Sequence, residues 1–360
     1  MKTINIILSA ALASCALTAT SQIMDNNPNT NMSLARIENL VLTQEWDKVF
    51  PQSDKVDHSK VTFENRYGIT LAADMYRPKN ASGKLMAIAV SGPFGAVKEQ
   101  SSGLYAQQLA ERGFLTIAFD PSFTGESGGM PRRVASPDIN VEDFSAAVDY
   151  LVNRDDVDPE KVGILGICGW GGIAIQAAIN DPRIKATVAS TMYDMTRVNA
   201  NGYFDAENTA AQRNAKRAAM AAQRTIDYKN GSYKRAGGVV DPLPEDAPQF
   251  VKDYYAYYKT PRGYHVRSGN SNDGWNVTSN LPFMNFKFFD YADELVNAVL
   301  IVHGDKAHSY YFGKDTFDKL KGDNKQMLTV KGASHCDLYD QLDIIPMDEI
   351  AAFYREYLDK

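Results

Sequence analysis

The sequence has little cysteine, no surplus of positive charge and no long apolar run in its main body. Only 3 of its 360 residues are cysteine, which excludes a small disulfide-stapled scaffold. Lysine and arginine total 38 against 44 aspartate and glutamate residues, so the net charge is −6 at pH 7. This balance argues against binding to phosphate backbones, and we expect no nucleic-acid partner. With 44% apolar and 23% charged residues, the composition is that of a globular protein.

The N-terminus has the features of an export signal. An apolar stretch from Ile4 to Ala19 follows Met1 and Lys2; it is shorter than the about 20 residues of a membrane span but suits a signal-peptide core. A small-x-small cleavage site at 19–21 predicts a signal peptide over 1–21 and a linker over 22–45. The residues around Cys15 also resemble a lipoprotein signal. We therefore predict an exported protein, periplasmic or secreted, with a lipid-anchored lipoprotein as the alternative and no membrane span.

From residue 46 onward, short apolar runs alternate with longer segments of helical periodicity, which predicts an α/β fold. The strand candidates are an opening hairpin of 61–63 and 71–76, then 85–91, 114–119, 162–167, 186–191, 298–303 and 327–330. The helix candidates are 102–112, 141–153, 171–180, 310–321 and 347–358. This alternation predicts a mostly parallel sheet covered by helices on both faces.

One connection is far longer than the others. About a hundred residues separate the strand that ends at Thr191 from the one that begins at Ala298, whereas a crossover needs about a dozen. We therefore predict one domain over 46–360 with a cap insertion over about 195–295. The cap is rich in tyrosine and phenylalanine, and an insertion at the strand ends is well placed to roof a pocket.

The most specific local pattern is an apolar strand that enters a glycine-rich turn at Cys168 and continues into a helix. Small residues beside a tight strand-to-helix turn are typical of a nucleophile elbow, and the helix N-terminus stabilises negative charge there. A second pattern, a strand end followed by a small-residue loop, presents His335 near the C-terminus. A histidine close to Cys168 would lower the pKa of the thiol and act as the base. Cysteine and histidine in this order favour nucleophilic catalysis.

These motifs together resemble the alpha/beta-hydrolase superfamily, and more narrowly its dienelactone-hydrolase-like members. The resemblance covers residues 46–360 and includes bacterial exported hydrolases and fungal polyketide transferases or thiohydrolases. It is carried by segments 92–100, 120–129, 166–168 and 335–339. It implies an eight-stranded sheet, Cys168 as the nucleophile, His335 as the general base and acid, and no cofactor or metal.

The resemblance also suggests the remaining site residues. Ala307 stands where the family places its acid, so Asp305 is the first substitute and Asp194 the second. Because Pro93 has no N–H, the amides of Phe94 and Gly169 are the candidate oxyanion hole. Lys98 and Glu99, which follow this loop, either shape it or form a surface pair, and we predict the surface pair.

Substrate contacts are expected from Trp170, Tyr193 and Tyr254. Trp170 replaces a small residue of the elbow, so an alternative frame would put tryptophan at the nucleophile position and predict a dead hydrolase. A glycine pattern over 169–174 also matches a dinucleotide fingerprint. That fingerprint normally follows the first strand of its domain, whereas four candidate strands precede the strand at 162–167.

We therefore predict an exported hydrolase that cleaves an ester, thioester or lactone of a small acyl substrate by a Cys-His-Asp triad. The alternatives are an acyltransferase or a proline-directed peptidase on the same fold, and a non-catalytic binding protein on a hydrolase scaffold.

Overall fold

An eight-stranded sheet forms the centre of the computed structural model, which describes residues 40–360. The predicted signal peptide, Cys15 and most of the predicted linker lie outside the described residues. The strands are β1 (Val56–Glu64), β2 (Thr70–Pro78), β3 (Leu85–Ser91), β4 (Leu115–Phe119), β5 (Val157–Ile167), β6 (Ala186–Ser190), β7 (Ala298–Gly304) and β8 (Lys325–Val330). Their order in the sheet is β1-β2-β4-β3-β5-β6-β7-β8. This confirms the α/β fold expected from the sequence.

Only the first two strands depart from parallel pairing. β1 pairs antiparallel with β2, and β2 pairs antiparallel with β4, whereas the pairs from β4 through β8 are parallel. Strands β4, β6 and β7 are buried along their whole length, because helices cover both faces of the sheet. The carboxyl ends of β3, β5, β6, β7 and β8 therefore meet at one edge, where ligands bind in open α/β sheets.

Ten helices are present in the described part of the chain. They are α1 (Ser101–Glu111), α2 (Pro137–Val152), α3 (Gly169–Asn180), α4 (Met195–Asn201), α5 (Ala210–Asn230), α6 (Gln249–Tyr258), α7 (Asn280–Asn285), α8 (Tyr310–Lys319), α9 (Asp337–Asp340) and α10 (Met347–Leu358). Helix α2 begins four residues before its predicted start, because Ser136 caps it and Pro137 occupies its first turn. Within residues 40–360, no helix combines the length and apolarity that crossing a bilayer requires.

Helices α4 to α7 all fall between β6 and β7, in the segment predicted as the cap. Five of its aromatic side chains are packed in the core: Tyr257, Tyr258, Phe283, Phe288 and Phe289 are all less than 5% exposed. Burial of such large side chains explains why the cap holds to the sheet domain. Tyr254 is only partly buried, and its hydroxyl contacts the hydroxyl of Tyr193, which follows the end of β6. This contact brings the cap to the site.

Candidate active site

Cys168 lies at the turn between β5 and α3 in a strained conformation. Its φ is 60° and its ψ is −127°, a backbone region that side-chain-bearing residues rarely adopt. The turn is held by three hydrogen bonds: Cys168 N donates to Ser190 O at 2.9 Å, and Cys168 O accepts from the amides of Gly171 and Tyr193. An added Cβ at Gly166 would lie 2.0 Å from the carbonyl oxygen of Trp170, so the tight turn requires glycine there. The backbone therefore projects Cys168 as a nucleophile elbow does.

Trp170 has a structural role instead of the predicted substrate contact. It lies within α3 and is 1% exposed. Its ring packs edge-on against Phe119 and Phe144, at centroid distances of 5.7 and 5.4 Å. Gly92 provides the space, because an added Cβ there would lie 2.7 Å from the Trp170 Cβ. The prediction that Trp170 binds substrate is wrong, and so is the frame that placed it at the nucleophile position.

His335 is buried, and both of its ring nitrogens contact hydroxyl groups. Nδ1 lies 2.6 Å from Ser309 Oγ and 2.9 Å from Thr191 Oγ1, and Nε2 lies 3.0 Å from Tyr339 Oη. Burial lowers the pKa of His335 well below its ordinary value, and the neighbouring His308 and His303 lower it further. The imidazole is therefore neutral near pH 7.

Neither predicted acid contacts His335. Asp305 Oδ1 accepts a hydrogen bond from the amide of Gly332 at 2.8 Å, which places the carboxylate on an exposed loop. Asp194 caps α4, where it accepts from Thr196 N at 2.9 Å and Arg197 N at 3.0 Å. The predicted Cys-His-Asp triad is therefore wrong in its third residue. Both carboxylates accept hydrogen bonds from nearby backbone amides, and the hydroxyls of Ser309 and Thr191 lie beside His335 Nδ1 instead.

The Cys168 sulfur is surrounded by hydrogen-bond donors. Burial raises the pKa of the Cys168 thiol, and hydrogen bonds from the Tyr339 hydroxyl, the Gly169 and Phe94 amides and the Tyr254 hydroxyl act in the opposite direction. Phe94 lies in the loop over residues 92–97, which we call the Phe94 loop. Gly169 permits the close approach of this loop, since a Cβ added at Gly169 would lie 2.8 Å from the Phe94 Cβ. The structure therefore brings together Cys168 and both amides predicted as an oxyanion hole, and it links the sulfur to His335 through Tyr339.

A pocket of about 300 Å³ opens above the sulfur. It is lined by residues of the sheet domain and the cap: Phe94, Cys168, Tyr193, Met195, Val198, Asn199, Tyr203, Gly237, Gly238, Val239, Tyr254, Asn270, Trp275 and Tyr339. Tyr193 Oη lies 2.9 Å from Tyr254 Oη and also contacts His308 Nε2. Tyr193 and Tyr254 thus line the pocket where substrate contacts were predicted.

Sequence reasoning missed Thr191, Ser309 and Tyr339. Tyr339 follows His335 by four residues, a separation that one helical turn brings together, and this spacing was the available signal. Thr191 and Ser309 come from the loops after β6 and β7, and nothing in a single sequence indicates that these loops meet.

Lys98 and Glu99 are fully buried behind the Phe94 loop, so the prediction of a surface pair is wrong. Lys98 Nζ lies 2.5 Å from Glu99 Oε1, 2.9 Å from Asp120 Oδ2 and 2.7 Å from Glu126 Oε2. Lys60 also pairs with Glu126. We call these five residues the charged cluster. Its three carboxylates converge as metal ligands can, but the Lys98 ammonium lies among them, and Asp120 Oδ1 accepts from the Lys98 amide at 2.9 Å.

The elbow, the donors around its sulfur and the strand order are those of an α/β hydrolase. A family profile described as X-Pro dipeptidyl-peptidase (S15 family) matches residues 67–337. The chain belongs to this family of hydrolases. Its resemblance to the alpha/beta-hydrolase superfamily is thereby confirmed.

Two similar bacterial proteins can be aligned with most of the chain. The uncharacterized protein PA2218 of Pseudomonas aeruginosa is 52% identical over 352 residues, which is 97% of this chain and 92% of that protein. Its crystal structure superposes with a TM-score of 0.86 at 54% identity, covering 88% of this chain and 99% of the other. The uncharacterized protein YcjY of Escherichia coli is 34% identical over 313 residues, 84% of this chain and 99% of that protein. Thiohydrolase aneE of Aspergillus aculeatus is 32% identical over 137 residues, 38% of this chain and 42% of that protein.

Proposed function

We propose that this protein is an exported hydrolase that cleaves ester, thioester or lactone bonds through a covalent acyl intermediate on Cys168. The observation that carries the proposal is the surroundings of the sulfur: two backbone N–H groups and a tyrosine hydroxyl that leads to a neutral histidine. The first two residues of the proposed catalytic set are Cys168 and His335. Thr191 and Ser309 replace the carboxylate that the sequence predicted.

The proton path runs through Tyr339. In the resting site the thiol and the imidazole are both neutral, because burial raises the pKa of Cys168 and lowers that of His335. As the sulfur attacks the carbonyl carbon, its proton passes to Tyr339 Oη while the Tyr339 proton passes to His335 Nε2. This transfer requires the tautomer in which Nδ1–H donates to Ser309 Oγ or Thr191 Oγ1.

The oxyanion that forms accepts hydrogen bonds from the amides of Gly169 and Phe94. When the tetrahedral intermediate collapses, the bond to the leaving group breaks and the leaving group takes the proton from His335. Water then attacks the acyl group on Cys168, with His335 as its base, and the carboxylic acid is released. The proton that His335 takes from the water passes back through Tyr339 to the Cys168 sulfur as the carboxylic acid leaves, which restores the neutral thiol and imidazole.

Hydroxyl partners for His335 are chemically sufficient when the nucleophile is a thiol. A cysteine thiol has an ordinary pKa of about 8.5, far below that of a serine hydroxyl. A weaker base can therefore deprotonate it, and the imidazole does not need a carboxylate to raise its basicity. Ser309 and Thr191 then need only to fix the tautomer and orientation of the ring. They do so without adding a negative charge beside the pocket.

A thioester is one of the substrate types we propose, and the similarity to a thiohydrolase supports it. Peptide cleavage after proline is the second candidate, favoured by the S15 family match over residues 67–337. Acyl transfer to an alcohol or amine differs only in the group that replaces water in the last step. Export is proposed from the apolar N-terminal stretch and its cleavage site.

The proposal is tested by assaying the mature protein on short p-nitrophenyl esters and a thioester panel under reducing conditions. Cys168→Ala and His335→Ala are each expected to lower kcat by about a thousandfold or more. Cys336→Ala removes the other buried thiol and serves as the matched control with most of its activity retained. Unchanged hydrolysis by Cys168→Ala would contradict the proposal.

A further inference from the structure

We infer that the pocket above Cys168 selects uncharged acyl groups and rejects those that carry an ammonium or a carboxylate. The inference rests on the proposed function and specifies its substrate class. None of the described residues that line the pocket is aspartate, glutamate, lysine, arginine or histidine. A charged acyl group would lose its hydration on entry without gaining a partner of opposite charge.

Two charged residues, Asp194 and Arg197, are neighbours in sequence of residues that line the pocket, and both are bound by other partners. Asp194 is engaged by Thr196 and Arg197 as the cap of α4. Arg197 pairs in turn with Asp205 and Asp315. Behind the Phe94 loop, Lys98, Lys60 and the adjoining Arg267 pair with the three carboxylates of the charged cluster. Asp194 and Arg197 are thus engaged by partners outside the pocket.

The pocket instead offers neutral contacts. Phe94 and Trp275 form an edge-to-face pair with a centroid distance of 4.9 Å, which provides flat apolar walls. The hydroxyls of Tyr254 and Tyr339 point to the sulfur, and the Asn270 side chain is fixed by its 2.7 Å donation to Phe94 O. These groups suit an aliphatic or aromatic acyl chain with a neutral oxygen.

The volume limits the size of the acyl group. A dry cavity of about 150 Å³ holds one benzene molecule, and this pocket measures about 300 Å³. It therefore accommodates roughly twelve non-hydrogen atoms. A dipeptidyl group also fits that volume, but its free α-ammonium would lie inside a pocket without a carboxylate. The inference thus separates this chain from aminodipeptidase activity.

The experiment compares thioesters whose acyl chains have the same shape and differ in charge. Hexanoyl is matched with 5-aminopentanoyl, and 5-methylhexanoyl with glutaryl, all as thioesters of one neutral thiol at pH 7. We expect kcat/KM for each charged member to be lower by roughly a hundredfold or more. Alanyl-prolyl p-nitroanilide should be cleaved no faster than by Cys168→Ala. Charged members within threefold of their neutral partners would overturn the inference.

A binding measurement keeps this test separate from the test of catalysis. Hexanamide should slow the labelling of Cys168 by iodoacetamide, and 5-aminopentanamide at the same concentration should not. If neutral and charged thioesters are hydrolysed equally but only with Cys168 present, the inference fails and the proposed function stands. If no thioester is hydrolysed, the labelling experiment still tests the inference. Equal protection of Cys168 by hexanamide and 5-aminopentanamide, or no protection by hexanamide, would overturn it.

A carboxylate placed in the pocket should reverse the preference. Val239→Asp introduces one on the pocket lining, and Val240→Asp introduces one at the next residue, which is 42% exposed and does not line the pocket. We expect Val239→Asp to raise the ratio of 5-aminopentanoyl to hexanoyl turnover at least about tenfold. Val240→Asp should leave the ratio unchanged. A similar ratio in both variants would contradict selection by pocket charge.

Discussion

The Phe94 loop separates two buried polar regions of opposite character. On one side, the pocket around Cys168 contains hydroxyls, amides and aromatic rings, and residues 40–360 contribute no charged side chain to its lining. On the other side, the charged cluster places a lysine ammonium among three carboxylates, with side chains that are 0–3% exposed. The two regions lie on either side of one loop, but only one of them concentrates charge.

The difference shows how the fold separates positioning from chemistry. Charge-assisted hydrogen bonds are stronger than neutral ones, and the cluster uses them to hold residues 98 and 99, four and five positions after Phe94. A charge inside the pocket would instead bias every step in which charge develops on the substrate. We therefore expect the cluster to control stability and the hydroxyl groups to control reactivity.

The largest effect is expected from removing the ammonium of the cluster. Lys98→Met leaves the carboxylates of Glu99, Asp120 and Glu126 buried without their central partner, which should lower the free energy of unfolding by about 3–5 kcal/mol. Lys161→Met, which breaks a surface pair with Asp359, should change it by less than about 1 kcal/mol. Urea unfolding measures both. Equal effects would show that the cluster is no stronger than a surface ion pair.

The pocket side is tested by the pH dependence of Cys168 labelling. Because burial raises the pKa of the thiol, the rate with iodoacetamide should rise about tenfold per pH unit from pH 7 to 9. The urea-unfolded protein provides the control, since its thiols titrate near the ordinary value of about 8.5. A rate that levels off below pH 8 would indicate a thiolate–imidazolium pair and contradict a neutral resting site.

A smaller effect should distinguish the hydroxyl partners of His335 from the predicted acid. Ser309→Ala removes the 2.6 Å contact to Nδ1 and should lower kcat about five- to tenfold with little change in KM. Asp305→Asn should leave kcat within about twofold, because its carboxylate binds the Gly332 amide instead. The reverse order, with Asp305→Asn the more damaging variant, would restore the acid that the sequence predicted.

The last comparison concerns acid stability. Burial alone would raise the pKa of Glu126, but the neighbouring Lys98 and Lys60 outweigh this effect and lower the pKa to about 2. An acid with a depressed folded pKa contributes stability above its unfolded pKa, which is lost as the pH falls toward the folded value. The stability difference between the unmutated protein and Glu126→Gln should therefore be constant from pH 7 to 5 and shrink below about pH 4.5.

The exposed Glu349→Gln is the matched control, and its difference from the unmutated protein should stay near zero over the same range. A Glu126→Gln difference that does not change down to pH 3 would contradict the assignment of this carboxylate to the cluster.

The predictable parts of the molecule were those with a local signal. Apolar runs located the strands that became β3, β5 and β7, because a strand buried on both faces is continuously apolar. A glycine-rich turn located Cys168, and a small-residue loop located His335. Both patterns lie within a dozen residues of sequence, so one chain was enough to find them.

The unpredictable parts depend on loops that meet only in the folded protein. Thr191 and Ser309 reach His335 from two different strand ends, and a hydroxyl residue in a loop carries no periodic pattern. Lys98 and Glu99 were misassigned because charged residues are ordinarily exposed, and only the convergence of Asp120 and Glu126 makes their burial favourable. Trp170 was misassigned because the space beside Gly92 is invisible in the sequence.

Mass spectrometry of the acid-quenched protein decides whether Cys168 carries the acyl group. After mixing with hexanoyl thioester, the account predicts one added hexanoyl group on Cys168, persisting longer in His335→Ala if that variant still acylates. Cys168→Ala should show no adduct. An acyl group on another residue, or turnover by Cys168→Ala at the unmutated rate, would contradict the account.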